Sequence, residues 1–186
     1  MAIANSLLRP SILETTEMPE SPEISFRPVV RADAEAIMEI YNREVLGSRI
    51  TLDLVPRSYS EQLAWIDEHS GGYPAIVAVR DATVIGFASV SAYRIRPGYS
   101  TTVEDSIYID ADHRGMGVGK ALLSRIVDAA ARHGFHACMA RVAAGHQASL
   151  RLHYSAGFFE VGIEREVGRK YGKWIDMVLL ERLLNP

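Results

Sequence analysis

The chain has 186 residues, 48% of them hydrophobic and 23% charged, which is the mixture of one folded domain and not of a disordered or collagen-like chain. One cysteine excludes a disulfide scaffold, and 20 Lys plus Arg against 23 Asp plus Glu, a net charge of −3, excludes a broad cationic footprint for nucleic acid. No stretch reaches the roughly 18 apolar residues of a membrane span, and the apolar patch at residues 2–8 lacks the basic leader of a secretory signal. The expectation is a soluble, cytoplasmic protein in which Cys138, inside the apolar run 135–140, is a small buried core residue.

Residues 1–23 carry Glu14, Glu17, Pro19, Glu20, Pro22 and Glu23 with few core candidates, so they read as an extension outside a single domain spanning 24–186. The domain opens with a short alternating strand at 24–29. Ala34, Ile37, Met38, Ile40 and Tyr41 recur near helical spacing and predict an amphipathic helix over 34–46. Residues 48–56 lack a period and read as a loop. Ser58 with Glu61 three residues on is a capping-box pattern and predicts a second helix ending near Gly71 and Gly72. Strands follow over 75–79 and 84–91, joined by a turn at Asp81-Ala82-Thr83. Pro97 and Gly98 make 94–100 a loop, and 102–109 is another strand. Gly115, Gly117 and Gly119 then open a helix over about 118–132 that Gly134 ends in a left-handed cap. A strand over 137–142, a helix over 147–156 and two strands over 158–167 and 174–183, around the segment 168–172, complete a mixed α/β order.

The glycine turn carries the clearest chemical signal. Successive glycines let backbone amides converge with no side chain in the way, and the following helix N-terminus adds positive potential. Arg114 and Lys120 add charge, so a phosphate or pyrophosphate is the natural guest. The dinucleotide fingerprint fails, because its third glycine falls on Lys120 or Leu122. The mononucleotide P-loop also fails: Arg114 stands where its first glycine belongs, and Ala121 replaces the magnesium-binding hydroxyl. What remains is Arg114-x-x-Gly117-x-Gly119 behind a strand and ahead of a helix. The histidines show no metal-ligand spacing, and no metal is expected.

With this loop, the chain over about residues 24–184 resembles the GNAT superfamily of acyl-CoA-dependent N-acyltransferases. The segment 149–158, ending in Gly157-Phe158, resembles that family's late helix. Four pieces bring it closer to the phosphinothricin and methionine sulfoximine acetyltransferase group: Ile40-Tyr41-Asn42, the stretch 103–109, Leu152-His153 before Gly157-Phe158, and the stretch 167–176. The resemblance implies an α/β (α+β) fold with a mixed, mostly antiparallel central sheet, helices on both faces and two splayed central strands that hold acetyl-CoA as co-substrate. It also implies that Arg114, Gly115, Met116, Gly117, Val118, Gly119 and Lys120 receive the pyrophosphate. Ile107, Tyr108 and Ile109 then pair their backbone with the pantetheine arm. Glu104, Asp105 and Ser106, with the loop Arg94-Ile95-Arg96, face the acceptor. Three departures stand out: His146 where the group often has Asn against the cofactor arm, Leu52 where it tends to have an aromatic, and Arg96 where it often has Phe. Each changes the polarity of the trench around acceptor or cofactor.

Acyl transfer from a thioester needs a neutral amine, so a base must take a proton; Glu104 is the candidate. A backbone amide near Ile107 is a candidate donor to the oxyanion. The departing thiolate needs an acid, and His153 occupies the position where many GNAT enzymes place a tyrosine. Tyr154 is its neighbour, and on a helix only one of the two faces the sulfur. Arg94 and Arg96 offer planar forks for an acceptor carboxylate. The first reading is therefore an acetyl-CoA-dependent N-acetyltransferase of a small amino acid or analogue. A GNAT enzyme for another amine (a polyamine, an aminoglycoside or a protein N-terminus) and a non-catalytic acyl-CoA-binding module stay open beside it. The resemblance further implies a homodimer, to which the sequence adds only a hydrophobic last strand. No nucleic-acid or membrane partner is expected.

Overall fold

The structure, a computed structural model, describes residues 23–184; the expected extension, apart from Glu23, lies outside the described residues. Seven strands form one sheet: β1 Ser25–Pro28, β2 Ala75–Arg80, β3 Thr83–Ala92, β4 Thr102–Ile109, β5 Ala137–Ala143, β6 Phe159–Lys170 and β7 Lys173–Leu183. Their order is β1-β2-β3-β4-β5-β7-β6. Every neighbouring pair is antiparallel except β4 with β5. Four helices flank the sheet: α1 Ala34–Gly47, α2 Tyr59–Glu68, α3 Val118–Arg132 and α4 Gln147–Ser155.

Each face of the sheet has its own core. On one face, Leu122, Leu123 and Ile126 of α3, all fully buried, pack with Leu150 of α4 on Val90, Val103, Val142 and Leu180. On the other face, Ile37, Ile40, Tyr41 and Val45 of α1 pack on Val77 and Phe87, with Trp65 of α2 beside them. The expected apolar spacing of α1 and α3 is thus the spacing that meets the sheet. The capping box forms as read: the Glu61 amide donates to Ser58 Oγ at 3.3 Å, and the Ser58 amide donates to Glu61 Oε2 at 2.7 Å.

The sheet is discontinuous at its centre. β4 and β5 pair only at Thr102–Ala137, Val103–Cys138 and Glu104–Met139. Beyond Glu104 the two strands diverge, while β4 stays paired to β3 out to Ile109 and β5 stays paired to β7 out to Ala143. Residues 105–109 therefore keep one flank free of any strand.

The last hairpin differs in extent from its expected form. The segment 168–172 is mostly strand, and only Tyr171 and Gly172, both at positive φ (51° and 73°), make the turn between the paired Lys170 and Lys173. Two left-handed residues in a two-residue hairpin are the type I′ geometry. Between Glu164 and Gly168 the register slips, and Asp176 holds the slipped segment by accepting from the Glu166 amide at 2.8 Å and from Arg165 at 3.0 Å.

Candidate active site

Three cavities open along the divergence, and Ile50 and His146 line all three, so they form one trench. Its first part, about 450 Å³, lies between the end of β4 and the start of α3 and is lined by Ile109, Arg114, Gly117, Gly119 and Lys120. Gly115 and Gly117 have φ of 79° and 81°, the left-handed region that favours glycine. Gly117 is also the N-cap of α3 and has no side chain to offer, so the first-turn amides, which have no intrahelical acceptor, stay available to a ligand. An N-terminus of 15 helical residues with open amides and two flanking cations suits a diphosphate. Arg114 pairs with Glu44 of α1, and its Nε donates to the Ile109 carbonyl at 3.3 Å, so it stands at the rim with a carboxylate as its present partner. Met116 faces outward, 46% exposed against Arg80, and only its backbone is at the cradle.

The middle part, about 230 Å³, is the gap between the strands. Glu104, Ser106 and Tyr108 alternate with Asp105, Ile107 and Ile109 along β4, as a pleated strand requires. Tyr108 stacks on Phe87 on the α1 side, whereas Ile107 and Ile109 pack toward α3 and α4. Glu104 and Asp105 thus leave the strand on opposite faces, yet both line the gap because no strand closes it there.

Burial raises the Glu104 carboxyl above its ordinary range, with the nearby Asp105 and Glu164 pushing the same way and the Arg141 and Arg94 charges opposing. On the other face Asp105 meets His153 of α4. The imidazole is 3% exposed. Its Nε2 lies 3.1 Å from Asp105 Oδ2 and its Nδ1 lies 2.8 Å from the Ser149 carbonyl. Both partners are acceptors and suit the imidazolium, which donates to each, and the Ser149 hydroxyl stands a further 3.4 Å from Nδ1. Desolvation works against that charge, but the Asp105 carboxylate and the Ser149 carbonyl outweigh it and raise the His153 pKa. The second Asp105 oxygen, Oδ1, is buried without a hydrogen bond.

Tyr154 is a correction. It is 43% exposed, its hydroxyl donates to Glu160 at 3.1 Å, and it lies outside the trench lining, because successive helical residues point about 100° apart and His153 takes the inward direction. The loop Arg94-Ile95-Arg96 projects from the end of β3. Ile95 is fully exposed, and the Arg94 guanidinium lies over the rings of Tyr93 and Tyr99 at 4.8 and 5.5 Å. These three residues do not line the trench, although the charge of Arg94 reaches Glu104. His146 begins α4 at the junction of all three cavities; burial and the Arg114 charge lower its pKa and keep it neutral near pH 7.

Two groups at the gap, Leu52 apart, were not singled out in the sequence. Arg141 of β5 pairs with Glu164 at 3.1 Å and faces Glu104 electrostatically. A lone arginine in the otherwise apolar β5 was the available signal. The other group is the loop 48–57, whose Ile50, Thr51 and Leu52 roof the gap. Tyr41 and Asn42 hold it from α1: the Tyr41 hydroxyl bonds to Asp53, Asn42 Nδ2 donates to the Arg57 carbonyl and the Arg57 amide donates to Asn42 Oδ1, each of the Asn42 bonds at 2.8 Å. This gives the Ile40-Tyr41-Asn42 motif a physical role.

The sequence profile of the acetyltransferase (GNAT) family matches residues 34–158. The chain belongs to the GNAT family. It is 36% identical over 163 residues to an L-amino acid N-acyltransferase of Escherichia coli, covering 87% of this chain and 95% of the relative. It is 36% identical over 171 residues to a phosphinothricin N-acetyltransferase of Streptomyces coelicolor, covering 90% of this chain and 100% of the relative. Among solved structures, a GNAT phosphinothricin acetyltransferase of Sinorhizobium meliloti in complex with acetyl-CoA superposes with a TM-score of 0.83 at 38% identity, covering 87% of this chain and 89% of that one. The sheet and helices described above are the GNAT fold, and acetyl-CoA is the co-substrate of this GNAT enzyme. The cradle fits it: open helix amides and left-handed glycines suit a diphosphate, and the free flank of β4 suits an extended arm with amides of its own.

Proposed function

We propose that the protein transfers the acetyl group of acetyl-CoA to the amino group of a small amino acid or analogue, of the phosphinothricin or methionine sulfoximine kind. The observation that carries this reading is the gap itself, where one carboxyl and one imidazole approach the same break in the sheet from opposite faces. Acetyl-CoA, when bound, supplies an activated thioester carbonyl. Residues 115–120 hold its diphosphate, Ile107, Tyr108 and Ile109 hold its arm along β4, and His146 faces the arm at the start of α4.

Glu104 takes a proton from the incoming ammonium, directly or through one water, so that a neutral amine forms the new N–C bond. Its raised pKa brings it nearer to the amine it must deprotonate. As the C–S bond breaks, the thiolate takes a proton from His153 Nε2, whose 3.1 Å bond to Asp105 is longer than the 2.8 Å bond from Nδ1 to the Ser149 carbonyl. Asp105 keeps the ring charged, and Ser149 fixes its orientation. Once the N–C bond has formed, the nitrogen gives its second proton to the same carboxylate; Glu104 passes both protons to solvent and His153 regains one, so each ammonium turned over yields the amide, the free thiol and one net proton. Arg94 stands outside the trench lining and draws the acceptor carboxylate by its charge, and Ser106 lines the gap on the acceptor side.

The edge strand β6 leaves Phe159, Val161, Ile163 and Val167 each 41–54% exposed, and Trp174 of β7 is 60% exposed. This apolar edge supports a homodimer, to be checked by sedimentation equilibrium. The single thiol, buried at Cys138, fits a reducing cytoplasm.

The test is release of free coenzyme A when the protein meets acetyl-CoA and a panel of amino acids that includes phosphinothricin and methionine sulfoximine. Turnover of one or more of them is expected. No thiol above background across the panel sinks the reading, and turnover of polyamines or aminoglycosides alone replaces it.

A further inference from the structure

The roof of the gap is tied from a second direction. The 48–57 loop grows out of α1, which packs on the β1–β4 half of the sheet, whereas the β6–β7 hairpin belongs to the other half. At sheet level those halves share only the three residue pairs of β4 with β5. The hairpin tip reaches across the divergence and meets the loop and the end of α1 at three residues within 168–171.

Lys170 is the first. It is 2% exposed, and its Nζ donates to the Thr51 carbonyl at 3.0 Å. Burying an ammonium is costly unless it is bonded, so this lysine is a poor choice for a mere surface hairpin. Tyr171 is the second. It holds φ at 51°, a region unfavourable for an aromatic residue, and its hydroxyl donates to the carbonyls of Val45 at 3.0 Å and Leu46 at 2.8 Å. Those carbonyls lie in the last turn of α1, where no intrahelical donor exists. Gly168 is the third: a Cβ there would stand 2.6 Å from one methyl of Leu52 and 2.7 Å from the other. The hairpin backbone is thus pressed against the same roof residue that lines the gap.

We propose that the tip of the β6–β7 hairpin is a strut across the gap, and that Lys170 and Tyr171 are positioning residues which fix Thr51 and Leu52 over the amine acceptor. The proposal rests on the amino-acid reading above and adds to it the part of the chain that shapes the acceptor side. The strut touches neither the glycine cradle nor β4, so its loss is felt by the acceptor and not by acetyl-CoA.

The experiment compares wild type with Lys170→Met and Tyr171→Phe. The second variant deletes one hydroxyl from a ring that is 59% exposed, so it leaves the fold intact. Initial rates are measured against both substrates, and hydrogen exchange is followed over residues 48–53. The acceptor KM is expected to rise about tenfold in each variant, the size expected for the loss of one charge-assisted hydrogen bond or of one hydroxyl donor shared by two carbonyls. kcat and the acetyl-CoA KM stay unchanged, exchange over 48–53 accelerates while exchange over 115–127 does not, and Lys170→Arg, which keeps a donor, recovers part of the loss. An unchanged acceptor KM overturns the proposal, as does a parallel rise of both KM values, which would mark general loosening. A wild-type enzyme that turns over no amino acid sinks the acceptor reading instead. The exchange arm needs no acceptor, and unchanged uptake over 48–53 then overturns the strut.

Discussion

The two ends of the trench are built by different means. The cofactor end is almost wholly backbone: left-handed Gly115 and Gly117, the open amides of α3 and the free flank of β4. All of it comes from one continuous stretch, residues 105–120. The proposed acceptor end is built of side chains that arrive from four elements: Glu104 and Ser106 from β4, Arg141 from β5, the roof from the loop after α1 and Lys170 from β6, with the charge of Arg94 acting from outside the lining. Backbone cradles tolerate side-chain change and hold one ligand class; converging side chains change with each substitution. The fold therefore keeps one cosubstrate while the acceptor end is free to diverge.

Substitutions that affect one end and spare the other sharpen this contrast. The largest effect belongs between the ends. Glu104→Gln is expected to lower kcat by about 10²–10⁴-fold, the usual contribution of a general base, with acetyl-CoA affinity unchanged by calorimetry. It also removes the acidic limb of the pH–rate profile, because in wild type the rate climbs as Glu104 deprotonates above the ordinary carboxylate range. Gly117→Asp comes next. A left-handed residue with a Cβ and a negative charge at the cradle is expected to weaken acetyl-CoA binding by about ten- to a hundredfold. Unchanged affinity in titration calorimetry would move the diphosphate elsewhere.

Asp105→Ala leaves a buried imidazole without its counter-charge and is expected to cost about 3 kcal/mol of stability, read from urea unfolding. The pair also has a pH signature. His153 has a raised pKa in the folded state, so its stabilisation is fully present below the unfolded value near 6.5 and is lost as pH rises through the folded value. The variant lacks that slope, and its rate profile loses the alkaline limb that deprotonation of His153 produces in wild type. The smallest effect is that of Arg94→Ala on an exposed loop: a rise of about three- to tenfold in acceptor KM, with the acetyl-CoA KM untouched.

The same contrast decides what was legible in the sequence. The cradle was, since its residues are contiguous and glycine at a left-handed position has few substitutes. So were α1, α3 and the Ser58–Glu61 cap, whose signals are local. The break between β4 and β5 was foreseen through resemblance, because no periodicity marks where a parallel pair stops. The acceptor end was legible only in part. Glu104 and His153 do reach the gap, but Tyr154 points outward, and alternation along β4 sends Asp105 to the face opposite Glu104 and under His153. Arg141, Thr51 and Lys170 were missed because their meaning lies in contacts separated by up to 119 residues, and a buried lysine reads in sequence as one more hairpin charge.

The unpaired flank of residues 105–109 has a further consequence. A strand edge with free amides and carbonyls is a template on which a foreign chain can polymerise, and proteins usually blunt such edges with charge, proline or a bulge. Here the edge is recessed. Ile50, Thr51 and Leu52 cover it from one side, while His146 and His153 of the α4 segment stand on the other. These walls obstruct the broad approach that a second β-strand with its side chains needs, whereas a slender, amide-bearing thread needs less room. The molecule thus keeps an adhesive edge at its centre, shielded from aggregation by the walls of its own gap.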